Sequence, residues 1–131
     1  REFLTLDELT AMTEIKLEDP NMAFARDLFI FGCWTGISFI DIKNLTEDNI
    51  CIVNGAPWIV SKRQKTGVPF QIKLMDISIQ IIERYKSFRK DCHLFHIGDH
   101  GTINKHIKRV AAMCGIKKQV SFHVSRHSWA V

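Results

Sequence analysis

Apolar residues recur along this chain at two spacings, and the switch between them marks out the elements. In "LTLDELTAM", Leu6, Leu9 and Met12 repeat at helical intervals. Thr5 followed by Glu8 has the spacing of a capping box, so a helix opens here. "EDPN" (18–21) reads as a turn. Residues 22–34 form a second helix, nearly all apolar after Asp27, which is the mark of a central, buried helix. "TG" (35–36) ends it, with Gly36 as the left-handed cap. A short helix follows, with Phe39, Ile42 and Leu45 at i, i+3 and i+6. The pattern then changes to strands at "ICIV" (50–53), "PWIVSK" (57–62) and "VPFQIKL" (68–74). "NG" (54–55) joins the first two as a hairpin, the polar turn "RQKTG" (63–67) joins the next two, and Pro69 puts the third strand at an edge. Helical spacing returns in "DISIQIIERYKSF", with Ile77, Ile81, Tyr85 and Phe88 on one stripe. "CHLFHIGDHG" is a loop around a short apolar run. "TINKHIKRVAAMCG" is a helix capped by Thr102 and stopped by Gly115, and Ser121 caps a last helix. The pattern predicts one α+β domain over residues 1–131, mostly α-helical with a small three-stranded antiparallel sheet.

Composition supports a packed core. Of 131 residues, 46% are hydrophobic and 24% charged, as in ordinary globular domains. No apolar run approaches the ~18 residues that a membrane span needs. The opening "REFLTLDELT" is polar and mixed in charge, unlike a signal peptide, and it lacks an initiator Met, which suggests a piece of a longer chain. Cys33, Cys51, Cys92 and Cys114 are far apart and form no C-x-x-C pair. A core of this size needs no disulfide framework, so they read as reduced, mostly buried thiols of a cytosolic protein.

Charge adds direction. Residues 1–50 hold 4 Lys/Arg against 10 Asp/Glu, whereas residues 51–131 hold 14 against 4. The second part therefore suits a polyanion, with a solvated surface as the plain alternative. The basic residues are spread over several elements and not along one amphipathic helix, which disfavours a membrane surface.

Several side chains have chemistry to offer. His123 and Arg126 sit at i and i+3 of the last helix, which puts both on one face. A guanidinium is a rigid fork that matches two phosphate oxygens, and an imidazole exchanges a proton near neutral pH. Without context, such a pair is also common on a surface helix. The turn carries Lys62, Arg63 and Lys65, and a basic β-turn reaches a DNA groove or a backbone phosphate. Lys65 is placed to donate a proton to a leaving oxygen. The plain alternative is a solubilising turn. Lys62 and Arg63, with Lys105 and Lys108 on the helix that follows, are the candidate DNA contacts. Ser38 and Asp41 have cap-like spacing: Ser38 caps the short helix, and Asp41 holds that turn or pairs with a cation. Cys92, His93, His96 and His100 fit no standard zinc spacing, so no metal is assigned. Tyr85, the single tyrosine, lies on an apolar stripe and reads as core.

"TGISFIDIKNL", a hairpin with "KRQKTG", and "HVSRHSWAV", in that order, resemble the catalytic domain of tyrosine recombinases, and within it the integrases of bacterial mobile elements. The resemblance spans essentially the whole chain, from "FLTLDELTAM" to the H-x-x-R motif. It implies the fold of the DNA breaking-rejoining enzymes and strand exchange on double-stranded DNA through a 3′-phosphotyrosine, with no cofactor. The implied parent is a bacterial, cytoplasmic, nucleoid-associated enzyme that works as a tetramer, this piece alone being a monomer. By resemblance His123 and Arg126 are the H-x-x-R pair, Lys65 the hairpin general acid, and Asp41 the acidic residue supporting the first arginine's turn. Two departures stand out. Ser38 occupies the position of the first arginine, which puts one neutral hydrogen bond in place of a charged fork; Arg63 or a residue outside this piece is then needed to replace it. The nucleophilic tyrosine is expected within a few tens of residues after Arg126, beyond Val131, and an amino-terminal DNA-clamping domain before residue 1. A non-cleaving DNA-binding relative is the competing reading.

Overall fold

The computed structural model describes residues 4–128, with the side chains of 126–128 left aside. The chain divides into two compact units. One is built from the described parts of 1–38 and 98–131, the other from 39–97.

The discontinuous unit is all helical. Helix α1 (Leu6–Glu14) starts where the pattern places it: Thr5 Oγ1 accepts from the Glu8 N–H, and the Glu8 carboxylate accepts from the Thr5 N–H. Helix α2 (Pro20–Thr35) begins earlier than expected. The "EDPN" turn is its first turn, because the Asp19 carboxylate accepts from the Asn21 N–H and Pro20, which has no N–H to lose, fits the first helical position. Gly36, at φ 72°, closes it as predicted. Helix α5 (His100–Met113) is capped by Asp99, not by Thr102. Thr102 lies inside the first turn and donates both its N–H and its hydroxyl to the Asp99 carboxylate, the stronger acceptor. Helix α6 (Phe122–Ser128) follows Ser121, and its first N–H is taken by a side chain from α5, that of Asn104. Helices α5 and α6 both pack on α2. Leu28, Phe29, Ile30 and Phe31 of α2, Ile107 and Val110 of α5, and Phe122 of α6 are wholly buried. Burying one such side chain contributes about 1.5–3 kcal/mol relative to leaving it in water.

Two polar clamps hold α1. At its C-terminal end, Arg26 Nη1 donates to the carbonyls of Met12, Thr13 and Ile15, and Arg26 Nε pairs with Asp27 at 2.7 Å. Helix ends leave such carbonyls without intrahelical partners. At the other end, Lys118 Nζ meets the Glu8 carboxylate at 2.7 Å. The Lys118 ammonium, with the Thr5 N–H, holds the Glu8 carboxyl below its ordinary value of 4.5. A carboxyl lowered by folding stabilises the native state above its unfolded value, and that contribution is lost as pH falls through the folded value. Both side chains retain solvent contact, so the effect is about 0.2–1 kcal/mol. The Glu8→Gln variant should match the parent in urea stability at acid pH well below 4.5 and be slightly weaker at pH 7.

The continuous unit holds the sheet. Helix α3 (Phe39–Lys43) leads through a 3-10 turn at Glu47–Asn49 into β1 (Ile50–Val53), β2 (Ala56–Lys62) and β3 (Pro69–Lys73), antiparallel in that order. Asn54 and Gly55 both have positive φ, as the two-residue turn between β1 and β2 requires. Val53 faces Ala56 across that turn, and Lys62 faces Pro69 at the far end of β2. Pro69 is on an edge strand, as expected. Helix α4 (Asp76–Arg84) stops before the predicted stripe is complete. Ser78, Ile81 and Ile82 are buried, whereas Phe88 is 65% exposed. The chain tightens at Tyr85 into a 3-10 turn (Lys86–Phe88), where side chains three apart eclipse. Half-buried Tyr85 and Phe88 therefore meet each other, with ring centroids 6.1 Å apart, and Phe88 does not continue the apolar stripe. Arg89 fixes the loop that follows by donating to the Leu94 carbonyl and pairing with Glu47. Leu94 and Phe95 are the buried apolar run of that loop.

All four thiols are free, but only Cys33 is buried; Cys92 is exposed, as is Asp91 beside it. Burial pushes the Cys33 thiol far up, so it is inert. Among the described residues, no helix is long and apolar enough to cross a membrane.

Candidate active site

The best-defined candidate feature is the turn between β2 and β3. A six-residue loop, residues 63–68, joins the strands, and its backbone closes on itself. The Arg63 N–H donates to the Val68 carbonyl at 2.9 Å and the Gly67 N–H donates to the Arg63 carbonyl at 2.7 Å. Thr66 Oγ1 accepts from the Val68 N–H. Two bonds from the α3 region add to these. Asp41, 8% exposed, accepts from the Gln64 N–H at 2.8 Å, and Asn44 donates to the Gln64 side-chain oxygen. This contact is neither use expected of Asp41, its own short helix's turn or a cation: a buried carboxylate holds the backbone of a turn 23 residues away. The charge-assisted bond is the stronger kind. Lys65 sits next to the anchored Gln64 and is exposed, Lys62 is exposed at the end of β2, and Arg63 is half-buried. The arrangement presents ammonium groups to solvent on a pinned backbone.

Asp41→Ala should cost about 1–3 kcal/mol, the penalty for an amide left without its acceptor. A drop in urea midpoint together with faster hydrogen exchange at the Gln64 amide checks this. Asp41→Asn, which keeps an oxygen acceptor, should lose less.

In the other unit, His123 is exposed on α6. Arg126 occupies a helical position three residues on, and its side chain lies outside the described residues. Ser38 is half-buried where the chain leaves the α2 cap. Lys105 and Lys108 are exposed on α5, while Ile103, Ile107 and Val110 of the same helix are buried. Arg109 shares that outer face, a cation that sequence reading passed over although its i+4 spacing from Lys105 was there to find. Lys62, Arg63, Lys65 and Asp41 thus gather in one unit, and Ser38, Lys105, Lys108 and His123 belong to the other. Asn104 was also missed, because a long-range cap leaves no local spacing signal.

The histidine-rich loop gathers fewer ligands than its composition suggests. Among the described residues, Asp91, Cys92 and His93 have ligand atoms within 4.8 Å of one another, and His96 and His100 are not in that group. The Asp91 carboxylate accepts from the His93 N–H and meets His93 Nδ1, both at 2.9 Å. These bonds hold the Asp91 carboxyl below the usual carboxylate range. A local turn accounts for the grouping.

No protein-family model matches the sequence, and no curated protein matches it. Solved structures do. The chain is similar to the XerA recombinase at 21% identity, with a TM-score of 0.75 over 99% of this chain and 48% of that one. It is similar to the XerH site-specific recombinase, in a pre-cleavage complex with its difH substrate, at 18% identity and TM-score 0.75, over 98% and 41%. A lambda integrase dimer bound to a COC′ core site matches at 18% and 0.71, over 97% and 48%. These neighbours are tyrosine recombinases, and the chain has the fold of their catalytic domain. It spans less than half the length of each.

Proposed function

We propose that both units together are part of the catalytic domain of a site-specific DNA recombinase of the tyrosine type, from the integrase branch carried by mobile elements. The observation that carries this reading is the pinned β2–β3 turn with exposed Lys65, on a fold shared with tyrosine recombinases over nearly the whole chain. The substrate is double-stranded DNA, gripped through its phosphates by Lys62, Arg63, Lys105 and Lys108. The reaction is two transesterifications. A tyrosine oxygen bonds to phosphorus as the bond from phosphorus to the 5′-oxygen breaks. Lys65 gives that oxygen its proton, and His123 and Arg126 stabilise charge on the non-bridging oxygens. The reverse attack by a 5′-hydroxyl rejoins the strand. The phosphodiester energy is kept in the protein–DNA bond, so no nucleotide is consumed. Tyr85 is half-buried against Phe88 and is not the nucleophile in this scheme; the tyrosine comes from sequence after Val131. The parent assembles as a tetramer on two duplexes.

Ser38 favours a second reading. A neutral hydroxyl in place of a guanidinium removes charge from the site, as a non-cleaving DNA-binding relative would tolerate. One experiment separates the two. A duplex nicked next to the crossover loses its short leaving strand and traps the covalent intermediate. With protein that extends past residue 131, the enzyme reading expects a denaturation-resistant adduct, whereas the binding reading expects only a retarded complex. The 131-residue chain should form no adduct; if it does, the nucleophile assignment is wrong.

A further inference from the structure

We infer that Asn104 and Gly32 are positioning residues that fix the direction in which α6 presents His123. The catalytic half of this inference rests on the recombinase reading above.

Over its described residues helix α6 takes its orientation from what it packs against. Three contacts set it. Phe122 is buried with its ring edge-on to Phe29 of α2, centroids 6.3 Å apart and planes at 88°. Ser125, one turn on and 0% exposed, backs onto Gly32. A Cβ at Gly32 would stand 2.7 Å from Ser125 Oγ and 3.1 Å from two atoms of the Phe122 ring, closer than packed atoms sit. The bare backbone of Gly32 leaves the room that the Ser125 hydroxyl and the edge of the Phe122 ring occupy. Asn104 Oδ1 of α5 accepts from the Phe122 N–H at 2.7 Å, which gives one orphan amide of the helix start its partner. Phe122 and Ser125 therefore face inward while His123, between them in sequence, faces out.

Asn104 also adjoins Lys105 in sequence and lies one turn before exposed Lys108. The helix that carries basic contacts thus also holds the start of the helix that carries His123. Losing the Asn104 bond frees the start of α6 to swing, and a methyl on Gly32 pushes the helix off its seat.

The test uses Asn104→Ala, the acceptor-retaining Asn104→Asp, and Gly32→Ala with and without Ser125→Ala. In the 131-residue chain, Asn104→Ala should speed hydrogen exchange at the Phe122 amide and shift the His123 ring resonances, and Asn104→Asp should restore both. In protein extended past residue 131, Asn104→Ala should slow adduct formation on the nicked duplex by roughly 10- to 100-fold, the scale of a misplacement near 1 Å, with DNA affinity nearly unchanged. Gly32→Ala should also slow it, and Ser125→Ala should recover part of the loss. Combined with His123→Ala, Asn104→Ala should cost nothing further, because the two act through one group. A full additional loss in that background would mean that Asn104 acts through general stability, and the inference fails. If the unaltered protein forms no adduct, the recombinase reading fails, and the seat is judged by exchange and resonances alone: unchanged Phe122 exchange and an unmoved His123 ring in Asn104→Ala would overturn it.

Discussion

If the chain is part of a recombinase as proposed, Lys65→Ala in protein extended past residue 131 is expected to slow DNA strand cleavage by roughly 10²- to 10⁴-fold, the range that a positioned general acid contributes. Lys65 is exposed, and the bonds that close its turn run through backbone atoms, Thr66, Asp41 and Asn44, none of them through the lysine side chain. The fold should therefore survive, with the thermal midpoint unmoved. Binding should weaken little: losing one phosphate contact lowers the salt slope of log affinity by about 1. Single-turnover cleavage of the nicked duplex, beside a gel-shift titration across salt, separates the two effects. A further arm isolates the proton. With sulfur in place of the leaving 5′-oxygen, departure needs little protonation, so the Lys65→Ala defect should shrink strongly. A variant that cleaves at the parent rate, or one equally slow on the sulfur substrate, rules out proton donation by this side chain.

The largest expected loss of stability is at Phe29. Its side chain is 0% exposed and meets Phe122 edge-on across the α2–α6 contact. Truncation to alanine removes the buried surface and leaves a cavity beside the Phe122 ring. Buried Phe→Ala changes cost about 3–5 kcal/mol. For a chain of this size that corresponds to a drop in thermal midpoint of about 10–20 °C. Calorimetry or circular dichroism checks it. Phe88→Ala, at a ring 65% exposed, serves as the contrast and should stay within about 0.5 kcal/mol. Equal losses at the two rings would mean that Phe29 does not hold α6.

These particulars show which features are legible in a sequence. The capping box at Thr5 and Glu8 and the positive-φ pair Asn54–Gly55 follow from residues close together and are where the pattern puts them, and the apolar α2 differs only in taking in the turn before it. The errors also have local causes. Thr102 and Asp99 are both good cap residues, and the carboxylate prevails because it accepts two bonds at once. Tyr85 and Phe88 keep helical spacing, yet the backbone tightens between them, and spacing alone cannot show a change from α to 3-10. Lys65, His123 and Arg126 stand out in the sequence only through a resemblance to a family pattern. What supports two of them was not legible: Asp41 on Gln64, 23 residues apart, and Asn104 on Phe122, 18 apart, are choices made by tertiary packing.

The helical unit is assembled from two stretches of chain with the whole of residues 39–97 between them. On the ribosome, α2 therefore emerges long before α5 and α6, the helices that pack on it. At ~5–20 residues per second, roughly 60 intervening residues take about 3–12 s to synthesise. Throughout that interval Phe29 lacks its eventual neighbour Phe122, while residues 39–97, contiguous in sequence, are free to fold as they appear. The nascent chain should accordingly be a client of chaperones that bind apolar helices, and codons that slow translation between residues 39 and 97 should lower the soluble yield.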